Sequence, residues 1–140
     1  MTPKYYLQQA FYLDQLINSK LEQVHHLKAL ACKATTLLSD MPKSKGSASS
    51  RVEDIIVKMM ELQEEINQDI DDFVDLKQEI MQAIKKIETF DHRIVLEKRY
   101  LGFKKWEEIA VEMNYSIQHV YRLHGQGLQK IQQFLKDESK

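Results

Sequence analysis

"NYSIQHVYRLHGQG", residues 114–127, follows a chain of otherwise even, Glu-, Gln- and Lys-rich composition, and its reading sets the fold. Asn114 stands where a left-handed residue would reverse the chain, a conformation that Asn adopts more readily than most residues. Ser116 then reads as an N-cap for a helix that begins at Ile117. Along that helix Val120, Leu123, Gly127, Ile131 and Phe134 recur at three- and four-residue steps, so they face inward. Gln118, His119, Tyr121, Arg122 and Gln126 are left outside. Gly125 and Gly127 each cost about 1 kcal/mol inside a helix. Gly127 is expected to permit close helix packing, and Gly125, on the outer side, a bend or a close backbone approach.

Working outward, "FDHRIVLEKRYLG" (90–102) offers Ile94, Val95, Leu96 and Leu101 for burial and ends at Gly102, which reads as a C-terminal cap. "KKWEEIAVEMN" (104–114) carries Trp106, Ile109, Ala110 and Met113 on one face. Short helices closed by a tight turn, with a polar face on the last, describe a helix-turn-helix. Its second helix presents its first two turns to the DNA major groove.

The rest of the chain follows a different pattern. Residues 3–38 and 51–88 read as long helices with apolar residues at sustained three-four spacing: Ala10, Leu13, Ile17, Val24, Leu27, Ala31, Ala34 and Leu38 in the first, and Val52, Ile55, Met59, Leu62, Ile66, Phe73, Leu76, Ile80, Ala83 and Ile87 in the second. Neither stays folded alone with its stripe in water. Lys20 and Asp69 interrupt the two seams at positions that can fix register. The expected organisation is all-α. Residues 1–40 form a long N-terminal helix, 41–50 a flexible linker with Pro42, Gly46 and a serine cluster, and 51–88 a coiled-coil-type helix paired with the first as a hairpin. "SRVE" (50–53) reads as a capping box opening the second long helix. Residues 89–140 form the DNA-binding domain, expected to stay folded without residues 1–50. Residues 1–88 are expected to pair two chains into a homodimer.

Composition agrees with this reading. Apolar residues make up 43%, while Gly 4 and Pro 2 are too few for a turn-rich β protein. No apolar run approaches the ~20 residues of a membrane span, and "MTPKYYLQQ" lacks the blocks of a signal peptide, so a cytoplasmic location is expected with no membrane partner. Cys32 stands alone, and the histidines lack the spacing and companions of a metal site, so no metal is assigned. The net charge of −1 is unevenly spread: residues 51–90 carry 5 basic and 11 acidic groups, residues 91–140 carry 9 basic and 7 acidic. The middle would repel phosphates, so nucleic-acid contact has to come from the ends. There is no Gly-rich phosphate loop, metal cluster or nucleophile elbow, so no catalytic residue, cofactor or small-molecule substrate is expected.

The stretch "VLEKRYLGFKKWEEIAVEMNYSIQHVYRLHGQGLQKI" (95–131) resembles region 4 of bacterial sigma factors, the domain that reads the −35 promoter element. With "SRVEDII" and "YRLHG", the likeness extends to small sigma-like regulators encoded by phages and prophages of Gram-positive bacteria, over roughly residues 45–135. The resemblance implies a sequence-specific transcription regulator, an activator of phage late genes acting at promoters. It implies base contacts from Gln118, His119, Tyr121 and Arg122 and backbone contacts from Lys104 and Lys105, to which Ser116 and Gln126 are added. The partners would be double-stranded DNA and RNA polymerase. Two departures stand out: Asn114 replaces the usual turn glycine, and the reading helix has a single Arg. Two rivals remain open, a small terminase-like DNA-packaging subunit and a protein that binds RNA polymerase without DNA.

Overall fold

Pro3 occupies the first helical position, where its missing N–H costs nothing, and the Thr2 hydroxyl accepts from the Tyr5 N–H at 3.2 Å. From there α1 runs over Pro3–Asp40. The computed structural model describes residues 2–40 and 47–138; all its regular elements are helical, and no strand is found among the described residues. Residues 41–46 of the expected linker, with Pro42 and Gly46, lie outside the described residues. α2 spans Ser47–Lys85. Ser50 therefore lies inside the first helical turn and does not cap the helix, because the serine-rich run before it is taken up into the helix. The far end falls short of residue 88 because the backbone tightens. Lys86 N donates to Ala83 O at 3.3 Å and Ile87 N to Ile84 O at 3.0 Å, three-residue steps that end an α-helix.

Three shorter helices follow: α3 (Phe90–Leu96), which continues into a π-helical turn over Glu97–Leu101, α4 (Trp106–Met113) and α5 (Ile117–Glu138). The chain divides into two compact units, residues 14–72 and residues 1–13 together with 73–140. In the first unit Ile17 and Ile66 are buried, and the two polar interruptions of the seams meet: Lys20 Nζ donates to Asp69 at 2.6 Å and lies 3.5 Å from Glu65. That hydrogen bond, more than the nearby charges, raises the Lys20 pKa, against the opposing effect of desolvation.

The second unit holds two apolar clusters. One joins Tyr6, Leu7 and Ala10 of α1 to Ile80 and Ile84 of α2, Ile87, Leu96, Tyr100 and Ile131. The other joins Val95, Ile109, Ala110, Val120 and Leu123, with Trp106, Met113 and Ile117 packed against it. The adjacent residues Val95 and Leu96 enter different clusters, so α3 ties the two together.

This arrangement corrects the expectation that residues 1–50 are dispensable for the C-terminal helices. Leu7 and Ala10 are fully buried beside Ile84 and Leu96, and removing them opens that core. Leu7→Ala should destabilise the unit by about 2–5 kcal/mol, the usual range for emptying a buried leucine site. Chemical denaturation followed by circular dichroism checks this; a loss under about 1 kcal/mol would show that the first turns of α1 are not part of the core.

Candidate functional site

The segment before α4 is shaped by its backbone. Gly102 N reaches back five residues to Glu97 O at 2.9 Å, and Lys104 N reaches Lys98 O at 3.0 Å. Gly102 has φ −90°, so it is not the left-handed cap that its position suggested; the left-handed residue is Phe103, at φ 57°. Glycine suits the position for a different reason. A Cβ at Gly102 would stand 3.0 Å from the Lys98 carbonyl oxygen.

The turn between α4 and α5 matches its reading. Asn114 is left-handed at φ 59°, ψ 42°, and Tyr115 N donates to Ala110 O at 3.0 Å, closing α4. Ser116 Oγ then accepts from His119 N at 3.1 Å, capping α5. The Ser116 hydroxyl thus already serves the fold. Tyr115 donates its hydroxyl to Asp91 at 2.9 Å, which raises its pKa, and its ring meets the His119 ring edge-on at 4.6 Å.

At about 100° per residue, Tyr121, Gly125, Gln118, Arg122, Gln126 and His119 share one side of α5, and Val120, Leu123, Gly127 and Ile131 the other. Burial follows this division. Val120 and Ile131 are fully buried, whereas Gln118, Tyr121, Arg122, Gly125 and Gln126 are exposed and His119 is half-buried. The structure therefore brings Gln118, His119, Tyr121 and Arg122 together on the first two turns. Tyr121 is steadied by the Trp106 ring, edge-on at 5.4 Å. Gln126 is already held, its Oε1 2.8 Å from His92 Nε2. Lys104 forms an ion pair with Glu112, which Lys98 also contacts at 2.8 Å; these two hydrogen bonds hold the Glu112 carboxyl below its ordinary pKa. Lys105 is exposed just before α4 and has no ion pair among the described residues.

A family model described as a protein of unknown function (DUF1492) matches residues 33–132, from the second half of α1 to the fifth turn of α5. The chain belongs to this family. No curated protein and no solved structure matches it. The part of this DUF1492 chain that the model spans includes the turn, α4 and the exposed side of α5.

Sequence reasoning missed a cluster beside that face. The Tyr100 hydroxyl lies 2.6 Å from His124 Nε2, their rings are stacked at 5.7 Å, and His124 meets Trp106 edge-on at 4.6 Å. Arg99 lies over the other side of this group, 4.5 Å from the Trp106 ring centre, and donates to Lys104 O at 2.9 Å. Burial pushes Tyr100 up to about 12, so its hydroxyl stays protonated and donates. Burial, helped by the charges of Lys4 and Arg99, lowers His124 to about 4, so its ring stays neutral and accepts.

A pH dependence follows with a definite sign. Between the ordinary value of 6.5 and about 4, the unfolded chain binds a proton at His124 that the folded chain does not. Stability should therefore fall as pH drops through this window. Denaturation midpoints measured across the window should show that fall in the wild type and a flatter profile in His124→Gln; parallel profiles would contradict the assignment.

The two glycines of α5 give an opposed pair. A Cβ at Gly125 meets nothing within 4 Å, whereas one at Gly127 would sit 3.1 Å from Leu96 Cδ1. Gly125→Ala should stabilise the fold by about 0.4–1 kcal/mol. Gly127→Ala should destabilise it, since Leu96 must give way inside a packed core. Thermal melts of the two variants check this, and equal shifts would contradict the packing.

Proposed function

We propose that this protein is a cytoplasmic, sequence-specific DNA-binding transcription regulator, with α4, its turn and α5 acting as a helix-turn-helix of the sigma region 4 type. The observation that carries the proposal is the exposed side of α5. Gln118, Tyr121 and Arg122 stand on the first two turns of a 22-residue helix, directly after a tight turn, while the opposite side is locked into the core. Those side chains are hydrogen-bonding groups of reach and chemistry suited to base edges, and a helix entering the major groove meets DNA with these turns. The resemblance to small phage and prophage regulators supports promoters as the place of action and late-gene activation as the outcome.

On this reading Arg122 reads a guanine through its bidentate guanidinium, and Tyr121 packs on a thymine methyl or holds a phosphate. Lys105 holds phosphate, and Lys104 does so more weakly because Glu112 already offsets its charge. Arg122→Ala should cost about 1–3 kcal/mol at the true site and relax preference at one position. Binding-site selection on wild type and Arg122→Ala, with circular dichroism to establish folding, tests it. Unchanged affinity and preference in a folded variant would remove base reading from this face.

The long helices, arranged as a hairpin, are proposed to pair two chains. Exposed apolar side chains along them support this: Leu16, Leu21 and Leu30 on α1, and Ile56, Val57 and Met60 on α2, are 46% to 63% exposed. Light scattering should give about twice the 16.5 kDa chain mass. A monomer at high micromolar concentration contradicts pairing, and a large ring would favour the packaging-subunit reading.

One observation favours a protein partner. Val111 on α4 is 81% exposed and sits among Glu107, Glu108 and Glu112, an apolar spot with an acidic surround. An RNA-polymerase-binding role without DNA would use this face, and it would leave the protein co-purifying with polymerase while showing no salt-sensitive DNA binding.

A further inference from the structure

We propose that a groove in the unit of residues 1–13 and 73–140 binds a small organic anion that carries a flat ring. The groove has a volume of about 330 Å³ and lies between the start of α1 and the π-helical turn, with Phe11, Tyr12, Phe103, Arg99 and Lys105 in its walls. That volume is at the small end of the roughly 300–1,000 Å³ typical of ligand sites, room for one ring and its charged group and too little for a folded partner.

The lining combines two chemistries. Phe11 and Tyr12 are 40% and 53% exposed, large rings left open to solvent on the first turns of α1. Phe103 completes this set, its ring 5.7 Å from Phe11. It is held there by a left-handed backbone that a bulky residue rarely adopts, strain of a kind that gathers at ligand sites. The lining also carries two cations. Arg99 is held in one orientation by the Trp106 face at 4.5 Å and by its bond to Lys104 O at 2.9 Å. That bond uses one N–H of the guanidinium fork, leaving others for an oxyanion, and Lys105 adds a second positive charge. None of the described residues lining the groove is acidic. Rings and two cations in one lining, with no carboxylate to neutralise them, select a ligand that combines an aromatic ring with an anionic group.

Phosphate and carboxylate share this chemistry, and the test separates them. Calorimetric titration of the full-length protein, without DNA, would compare AMP, phenylacetate and uncharged adenosine. At least one of the two anions should bind, and the tighter one names the oxyanion. Adenosine should bind about tenfold or more weakly than AMP if phosphate is preferred, since a charge-assisted hydrogen bond is lost. Phenylacetate should also change the emission of Trp106, the single tryptophan, through Arg99. Arg99→Gln should weaken binding at least tenfold. Because Arg99 also supports Trp106, the exposed changes Lys105→Gln and Phe11→Ala serve as the second arm, each weakening binding several-fold in a protein with unchanged circular dichroism. Absence of binding by both anions at millimolar concentration would overturn the proposal. So would adenosine binding as tightly as AMP where AMP is the tighter anion, or folded Lys105→Gln and Phe11→Ala proteins binding as tightly as wild type.

Discussion

Leu96 seats against the bare backbone of Gly127, so closely that one methyl there would stand 3.1 Å from it. This contact sets the rotation of α5. With that strip against α3, Val120, Leu123 and Ile131 are carried into the two cores, and each such burial contributes about 1.5–3 kcal/mol relative to exposure. A rotation of α5 by one residue would bury Gln126 against Leu96 and Arg122 in the cluster of Val95, at the cost of uncompensated polar groups. The outward position of Gln118, Tyr121 and Arg122 is therefore a consequence of core packing and does not depend on any contact of their own.

Stability is unevenly distributed. Among the described residues, the unit of residues 14–72 buries Ile17 and Ile66, whereas the other unit holds the remaining buried hydrophobics. A segment with so little apolar burial opens at lower free energy than one with two clusters. The Lys20–Asp69 contact adds little to that balance, since solvent screens such a pair; its better-attested use is to fix register. The proposed pairing of two chains would supply the burial that this unit lacks.

How far the sequence could be read depended on the range of each interaction. The Asn114–Ser116 turn was legible because left-handed Asn and an N-cap serine act within a few residues. The seams of α1 and α2 were legible through their spacing, and so were their polar interruptions. Gly102 does end its helical segment, but not as a left-handed cap, because a π-helical turn leaves no periodic mark that distinguishes it from an α-helical end. Tyr6 and Leu7 joining the core beside Ile131, the Tyr100–His124 bond and the Gln126–His92 bond all link residues far apart in the chain, and no local pattern announces them. The candidate face was legible in outline from the same spacing. What it could not show is that Lys104, Ser116 and Gln126 are already engaged within the fold, while Gln118, Arg122 and Lys105 are more openly presented.

The most direct measurement of whether the outward side of α5 meets DNA is a titration of duplex DNA into isotope-labelled full-length protein at low salt, followed through amide proton–nitrogen correlation spectra. The proposed reading predicts shifts at Gln118, Tyr121, Arg122 and Gly125 that weaken as salt is raised, with Lys105 following and Glu107 to Val111 little changed. Shifts confined to α4 around Val111, or none at any duplex concentration, would contradict it.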